Sequence, residues 1–142
     1  MAKVSSIPSR LKLSSDSSKQ LQFLSQRLNL RRNIICRLAI GRSLRDPESV
    51  KSISPKDNDG FEFNRYTLTG DLDNIYRAMI VQHEGERIDD KVYFSTFLRN
   101  HIERGIYVLH KEYQRINSPV DFFAELIKLD RVHQYDPDQE AN

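Results

Sequence analysis

Ser9-Arg10-Leu11-Lys12-Leu13-Ser14 alternates polar with apolar residues, and residues 15–44 then change period. In an extended chain Leu11 and Leu13 fall on one face and Arg10, Lys12 and Ser14 on the other. After this strand the apolar residues recur every three or four positions. Leu21, Leu24 and Leu28 make one helical stripe, with Asp16 or Ser17 as the expected cap. Asn29-Leu30-Arg31-Arg32 reads as a turn. Asn33 is the expected cap of a second helix that carries Ile34, Ile35, Leu38 and Ala39 and ends near Leu44. The order strand, helix, turn, helix decides the class of this segment.

Charge is concentrated in the same segment. Residues 1–45 hold ten Lys or Arg side chains against one acid, Asp16, whereas the remaining 97 residues hold 12 basic and 19 acidic ones. The two parts carry +9 and −7 within a chain of net charge +2. A basic head on an acidic body points to a polyanion met by one end of the molecule.

A length of 142 residues suits one domain with a modest core. No apolar run reaches the ~18–20 residues of a membrane helix. The stretch Met1–Pro8 lacks the apolar core of a signal peptide, so a cytoplasmic protein is expected. A single cysteine, Cys36, excludes an intrachain disulfide and a multi-cysteine zinc site, and its apolar surroundings predict a buried core residue.

Beyond residue 45 the chain reads as a polar loop over 46–60, a short extended segment at Phe61-Glu62-Phe63-Asn64, and then helices. One starts near Thr69 and carries Leu72, Ile75, Tyr76, Met79 and Ile80 on its apolar face. A longer one runs from about Asp90 to Tyr113 with Tyr93, Phe97, Leu98, Ile102, Ile106 and Leu109 inward. Ser118-Pro119-Val120-Asp121 starts a last helix with Phe122, Phe123, Leu126, Ile127 and Leu129 on one face. The expected organisation is a flexible arm over 1–8, a single helical domain over 9–135, and a disordered acidic tail over 136–142. Within the domain, 9–45 forms the basic head and 61–135 a helical body.

A lone strand leaves its backbone groups unpaired. Pairing with the same strand of a second copy, through Leu11 and Leu13, would satisfy them. The expected fold class is therefore mainly α, with a ribbon-helix-helix-like strand and two helices followed by additional helices. In ribbon-helix-helix proteins a two-stranded ribbon enters the DNA major groove. The start of the second helix offers free N–H groups to a phosphate, and Arg31 and Arg32 flank it. Arg10 and Lys12 can contact base edges, as in a transcriptional regulator or antitoxin, or phosphates alone.

Two further stretches separate this chain from ordinary ribbon-helix-helix repressors: Asn64-Arg65-Tyr66-Thr67-Leu68-Thr69-Gly70-Asp71 and Leu98-Arg99-Asn100-His101-Ile102-Glu103-Arg104-Gly105. Together with Arg10–Leu13 and the Ile34–Ala39 helix, they resemble the DndE family of the Dnd DNA phosphorothioate-modification systems, over about Arg10 to Leu109. The resemblance implies a small, helical, non-enzymatic DNA-binding subunit, a homo-oligomer and by expectation a tetramer, that prefers nicked duplex. It implies work beside a cysteine desulfurase, a PAPS-reductase-like iron–sulfur ATPase and an SMC-like ATPase, which replace a non-bridging phosphate oxygen with sulfur as part of a restriction-modification defence. It places DNA contacts on Arg10, Lys12, Lys19, Arg31, Arg32 and Arg37, and marks Asn64, Arg65, Tyr66, Thr67, Gly70, His101, Arg104 and Gly105 as family positions.

Asn64, Arg65 and Tyr66 can form a docking loop, or a structural knot in which Arg65 bonds loop carbonyls and Tyr66 packs. Gly105 can admit a close helix neighbour. A metal-dependent nickase would have to draw on His83, Glu84, Glu86, Asp89, Asp90, His101 and Glu103. No spaced metal motif, P-loop or dinucleotide turn supports that reading. Residues 82–90 are expected to form a solvated turn, and no catalytic residue, metal ligand or cofactor is assigned.

Overall fold

The short strand at the N-terminus finds its partner within the chain. The computed structural model describes residues 9–131, so the expected arm over 1–8 and the tail over 136–142 lie outside the described residues. Strand β1 (Arg10–Lys12) pairs antiparallel with β2 (Glu62–Asn64), with Arg10 opposite Asn64, Leu11 opposite Phe63 and Lys12 opposite Glu62. Bonds from Leu13 N to Phe61 O and from Gly60 N to Leu13 O extend the pairing. This corrects the expected pairing with a second copy. Phe61–Asn64 has the same alternation as β1, so it supplies the missing donors and acceptors locally. Leu11 and Leu13 are buried in their own chain, which removes the ground for assigning them to oligomerisation.

Helix α1 (Ser15–Leu28) buries Leu21, Leu24 and Leu28 as the stripe requires. Its cap is Ser14 rather than Asp16 or Ser17: Ser14 Oγ accepts from Ser17 N at 3.2 Å. Asn29 closes it in the left-handed conformation. Helix α2 (Arg32–Leu44) buries Ile35, Cys36, Ala39 and Ile40. Arg31, not Asn33, stands at its cap position, and no side chain caps it. Asn33 Nδ2 instead donates to the Thr67 carbonyl at 3.2 Å.

A one-turn helix α3 (Arg65–Leu68) and a 3₁₀ turn (Gly70–Leu72) lead into α4 (Asp73–Glu84). Of the five residues expected on the apolar face of α4, only Ile80 is buried; Leu72, Ile75 and Met79 are exposed and Tyr76 is half-buried. The expected long helix is one run in three parts: α5 (Asp90–Val92), a π-helical segment (Tyr93–Leu98) and α6 (Arg99–Ile116). All six expected inward residues are buried, and Phe94 joins them, because the wider π turn brings both members of Tyr93-Phe94 to the core.

The chain divides at His110 and Lys111 into two compact units. In the second, α7 (Pro119–Arg131) starts as expected at Ser118, whose Oγ accepts from Asp121 N at 3.4 Å. The Phe122 ring meets those of Tyr113 and Phe123 edge-on, each at 5.6 Å. Ile127 is exposed, and the side chain of Leu129 lies outside the described residues. The secondary structure is mainly helical with a two-stranded antiparallel sheet. Among the described residues no helix is long and apolar enough to cross a membrane.

Candidate nucleic-acid interface

Alternation along β1 turns Arg10 and Lys12 outward, where both are exposed. Arg10 Nη1 lies 3.5 Å from Glu62 Oε2, a solvated pair that contributes little. The two cations border a recess of about 270 Å³ with Asn58, Glu62, Ser95 and Arg99. Lys19, exposed on α1, borders an open groove of about 550 Å³ with Gln22, Phe23, Gln26 and Phe61. The guanidinium of Arg32 lies 4.0 Å above the Phe61 ring, a cation–π contact that orients it.

The starts of α1 and α2 differ in what occupies them. Asp57 accepts from Ser15 N at 2.8 Å and Ser15 Oγ at 2.9 Å. Hydrogen bonds from the Asp59 and Ser15 backbone hold its carboxyl below the usual range. Glu103 accepts from Ser14 N at 2.8 Å, from Ser14 Oγ at 3.0 Å and from Ser17 Oγ. Burial pushes the Glu103 carboxyl up despite those bonds. Two carboxylates thus serve the positive end of α1. The first turn of α2 has no acid and no side-chain cap, and Arg31 and Arg32 there are both exposed.

Arg37 is held differently from the other basic candidates. Its Nε donates to Leu68 O at 2.7 Å and Nη2 to Thr67 O at 3.4 Å, so it ties α2 to the end of α3. The family motif around it is a folding device. Asn64 Oδ1 caps α3 by accepting from Tyr66 N at 2.8 Å. Arg65 grips carboxylates rather than the loop carbonyls expected: Nε and Nη2 donate to Asp73 at 3.1 and 2.8 Å, and Nη1 and Nη2 to Asp90 at 3.0 and 2.8 Å. These bonds raise the guanidinium above its ordinary value, and the Arg65 bonds lower Asp90. Burial pushes Asp73 up, but bonds from Arg65 and Thr69 outweigh it and leave the group low. Gly70 takes a positive φ of 52°. Tyr66, expected to pack, is 73% exposed.

On α6, Arg104 binds the end of α2 and the loop after it, donating to the carbonyls of Ser43 and Glu48 at 2.8 Å and to Ser43 Oγ at 2.8 Å. At the next residue, a Cβ on Gly105 would lie 1.9 Å from the Ala39 carbonyl oxygen. The α2 and α6 backbones therefore touch, as the glycine suggested.

The expected solvated turn at 82–90 needs correction at its start. The side chains of His83 and Glu84 are only 10% and 2% exposed, and both reach His101, which is fully buried. Glu84 Oε1 lies 3.3 Å from His83 Nδ1 and 3.2 Å from His101 Nε2. Burial, then the charge of Arg104, pushes His101 down to about 4. Burial raises Glu84, but bonds from Ser49 and Val50 leave it low. The other acids weighed for catalysis do not join them: Glu86 pairs with Lys51 at 3.4 Å, Asp89 is exposed, and Asp90 serves Arg65 and Arg77. Seventeen residues separate Glu84 from His101, and nothing in the spacing signalled that they meet.

The family model for DndE, described as DNA sulphur modification protein DndE, matches residues 10–117. Among solved structures, DndE from Escherichia coli B7A, involved in DNA phosphorothioation modification, is 25% identical with a TM-score of 0.57. That match covers 73% of this chain and 99% of the other. A double glycine-to-lysine mutant of DndE shares the fold at 24% identity and a TM-score of 0.58, covering 72% of this chain and 98% of the other. No match is found among curated proteins. The chain belongs to the DndE family of DNA sulphur modification proteins.

Proposed function

We propose that this chain is a non-enzymatic, cytoplasmic DNA-binding subunit of a phosphorothioate-modification system, one that holds nicked duplex with little regard to sequence. The observation that carries the reading is the start of α2, which has no side-chain cap or acid and is flanked by exposed Arg31 and Arg32. Such a helix end favours a phosphate through its free N–H groups and its dipole. Lys12, Lys19 and Arg10 add exposed positive charge on β1 and α1. Contacts of this kind read phosphates, so they tolerate any sequence. A nick makes the duplex easier to bend, and less deformation energy then opposes wrapping a basic surface. Arg37 acts as a positioning residue for α2 in this reading, because its guanidinium is taken up by backbone carbonyls.

The sulfur chemistry belongs to partner enzymes, the cysteine desulfurase, the iron–sulfur ATPase and the SMC-like ATPase of such systems. The chain works as a homo-oligomer, by expectation a tetramer. The surface that supports assembly is on α4 and its cap residue, where Leu72, Ile75 and Met79 stand exposed at helical spacing.

Competition binding at one stated salt concentration tests the function. Nicked duplex, the same duplex intact, and single strand would each be offered in several unrelated sequences. The expected result is a preference for the nicked form in every sequence. Equal binding to nicked and intact DNA with one sequence strongly preferred would instead identify a regulator, and divalent-ion-dependent strand cleavage would identify a nickase.

A further inference from the structure

We propose that His83, Glu84 and His101 form a binding site for a zinc-type divalent cation. Their ligating atoms lie within 4.8 Å of one another. The two contacts to Glu84 Oε1, 3.3 Å from His83 Nδ1 and 3.2 Å from His101 Nε2, match two edges of a tetrahedral ligand set, and the third, between the two rings, lies within 4.8 Å. Atoms held at about 2.0–2.1 Å from one ion stand about 3.3 Å apart.

Hydrogen-bond bookkeeping at His83 points the same way. Its Nε2 lies 2.6 Å from the Asp46 carbonyl, which can only accept, so the proton is on Nε2. A neutral ring then turns the bare lone pair of Nδ1 toward a carboxylate oxygen. Two acceptors facing each other in a buried place are unfavourable, and a cation between them removes the conflict. His101 Nδ1 meets Ser43 Oγ at 2.8 Å, which leaves Nε2 to face the same point. Each imidazole therefore has an outer partner on its far nitrogen, the arrangement that fixes ring orientation in metal sites.

Two imidazoles and one carboxylate suit zinc and leave one coordination position for water. The outer partners come from the end of α2 and from the 46–50 loop, with Ser49 and Val50 N donating to Glu84. An ion here would join that loop to α4 and α6. A recess of about 300 Å³ lined by Leu44, Met79, Gln82 and His83 gives it a way in.

The test uses the full chain, stripped with a chelator and titrated with Zn²⁺ by calorimetry and with Co²⁺ by visible absorption. One equivalent should bind, give a tetrahedral cobalt spectrum and raise the melting temperature. His83→Gln and Glu84→Gln, with circular dichroism spectra like the parent's, should each lower zinc affinity more than the about 100-fold at which the removal of an outer partner saturates. Such a drop in either folded variant supports the site. No stoichiometric binding by the parent, or parent-like affinity in both variants, overturns it; the latter would mean that other groups hold the metal.

Discussion

Arg65 is the residue on which the motif depends, and its role is structural. It spans two carboxylates from different helices and lies 4.8 Å over the Phe94 ring. Arg65→Ala would leave half-buried Asp73 to the Thr69 hydroxyl and Asp90 to Arg77, at a cost of about 2–3 kcal/mol. The cost depends on pH in a defined direction. Both carboxyls titrate lower in the folded chain than in the unfolded one. Their stabilisation is therefore full above the unfolded value of about 3.9 and is lost as pH falls through the folded values. Urea melts of parent and variant should differ most at neutral pH and converge in acid. A gap independent of pH would assign the loss to the ring contact instead. Arg31, Arg32 and Arg37 separate in a similar way. Replacing Arg31 and Arg32 by Ala should weaken DNA binding and reduce the salt slope by about 0.9 for each phosphate no longer neutralised, with stability unchanged. Arg37→Ala should lower stability and leave the slope alone. A slope unchanged by the double variant would remove the start of α2 from the interface.

At the scale of elements, the contact between α2 and α6 is the least forgiving. Gly105→Ala drives a methyl group into the Ala39 carbonyl, so a loss of about 3 kcal/mol is expected in chemical denaturation, with an unchanged m-value if the helices only part slightly. A smaller loss would mean that the helices shift freely. The start of α1 offers a milder case. Glu103→Gln should be tolerated within about 1 kcal/mol, because burial already penalises the charged form, whereas Glu103→Ala leaves Ser14 N unpaired and should cost about 2 kcal/mol. These elements also mark what the sequence could reveal. Periodicity located β1, α1, α2 and the α5–α6 run, because burial of Leu21, Leu24, Ile102 and Ile106 depends on local spacing. It did not reveal what requires distant segments. The partner of β1 lies about 50 residues further along the chain, Leu11 meeting Phe63, and two alternating segments in one chain look no different from one segment in two copies. The cap of α1 is Ser14 rather than Asp16 or Ser17, and Asn33 lies inside α2, one residue past its start, where its Nδ2 donates to the Thr67 carbonyl. The Phe94 burial follows from a π turn that no 3.6-residue period describes. Gly105 was legible as a packing residue; the Glu84–His101 contact was not.

Across the whole molecule, the position of the apolar face of α4 joins fold to function. A strand-paired dimer would place two copies of β1 side by side, with Arg10 and Lys12 of both on one ribbon. With β1 paired to β2 instead, the proposed oligomer needs another contact, and its basic side chains would come together only as far as that contact orients them. Leu72 and Ile75 are 43% and 55% exposed on a helix whose spacing suits burial. Leaving such side chains in water costs about 25 cal/mol for each Å² of apolar surface, which association would recover. Ile75→Asp, alone or with Leu72→Asp, should therefore shift the protein toward monomer in sedimentation while its melting temperature at low concentration stays near the parent's, because neither side chain belongs to the core. DNA binding should weaken together with assembly if one duplex spans basic surfaces of two copies, and the salt slope should fall because fewer phosphates are met at once. Parent-like mass in the double variant would place the oligomer contact elsewhere. Dissociation with an unchanged slope would mean that each copy meets DNA alone, with the start of its own α2 sufficient for the contact.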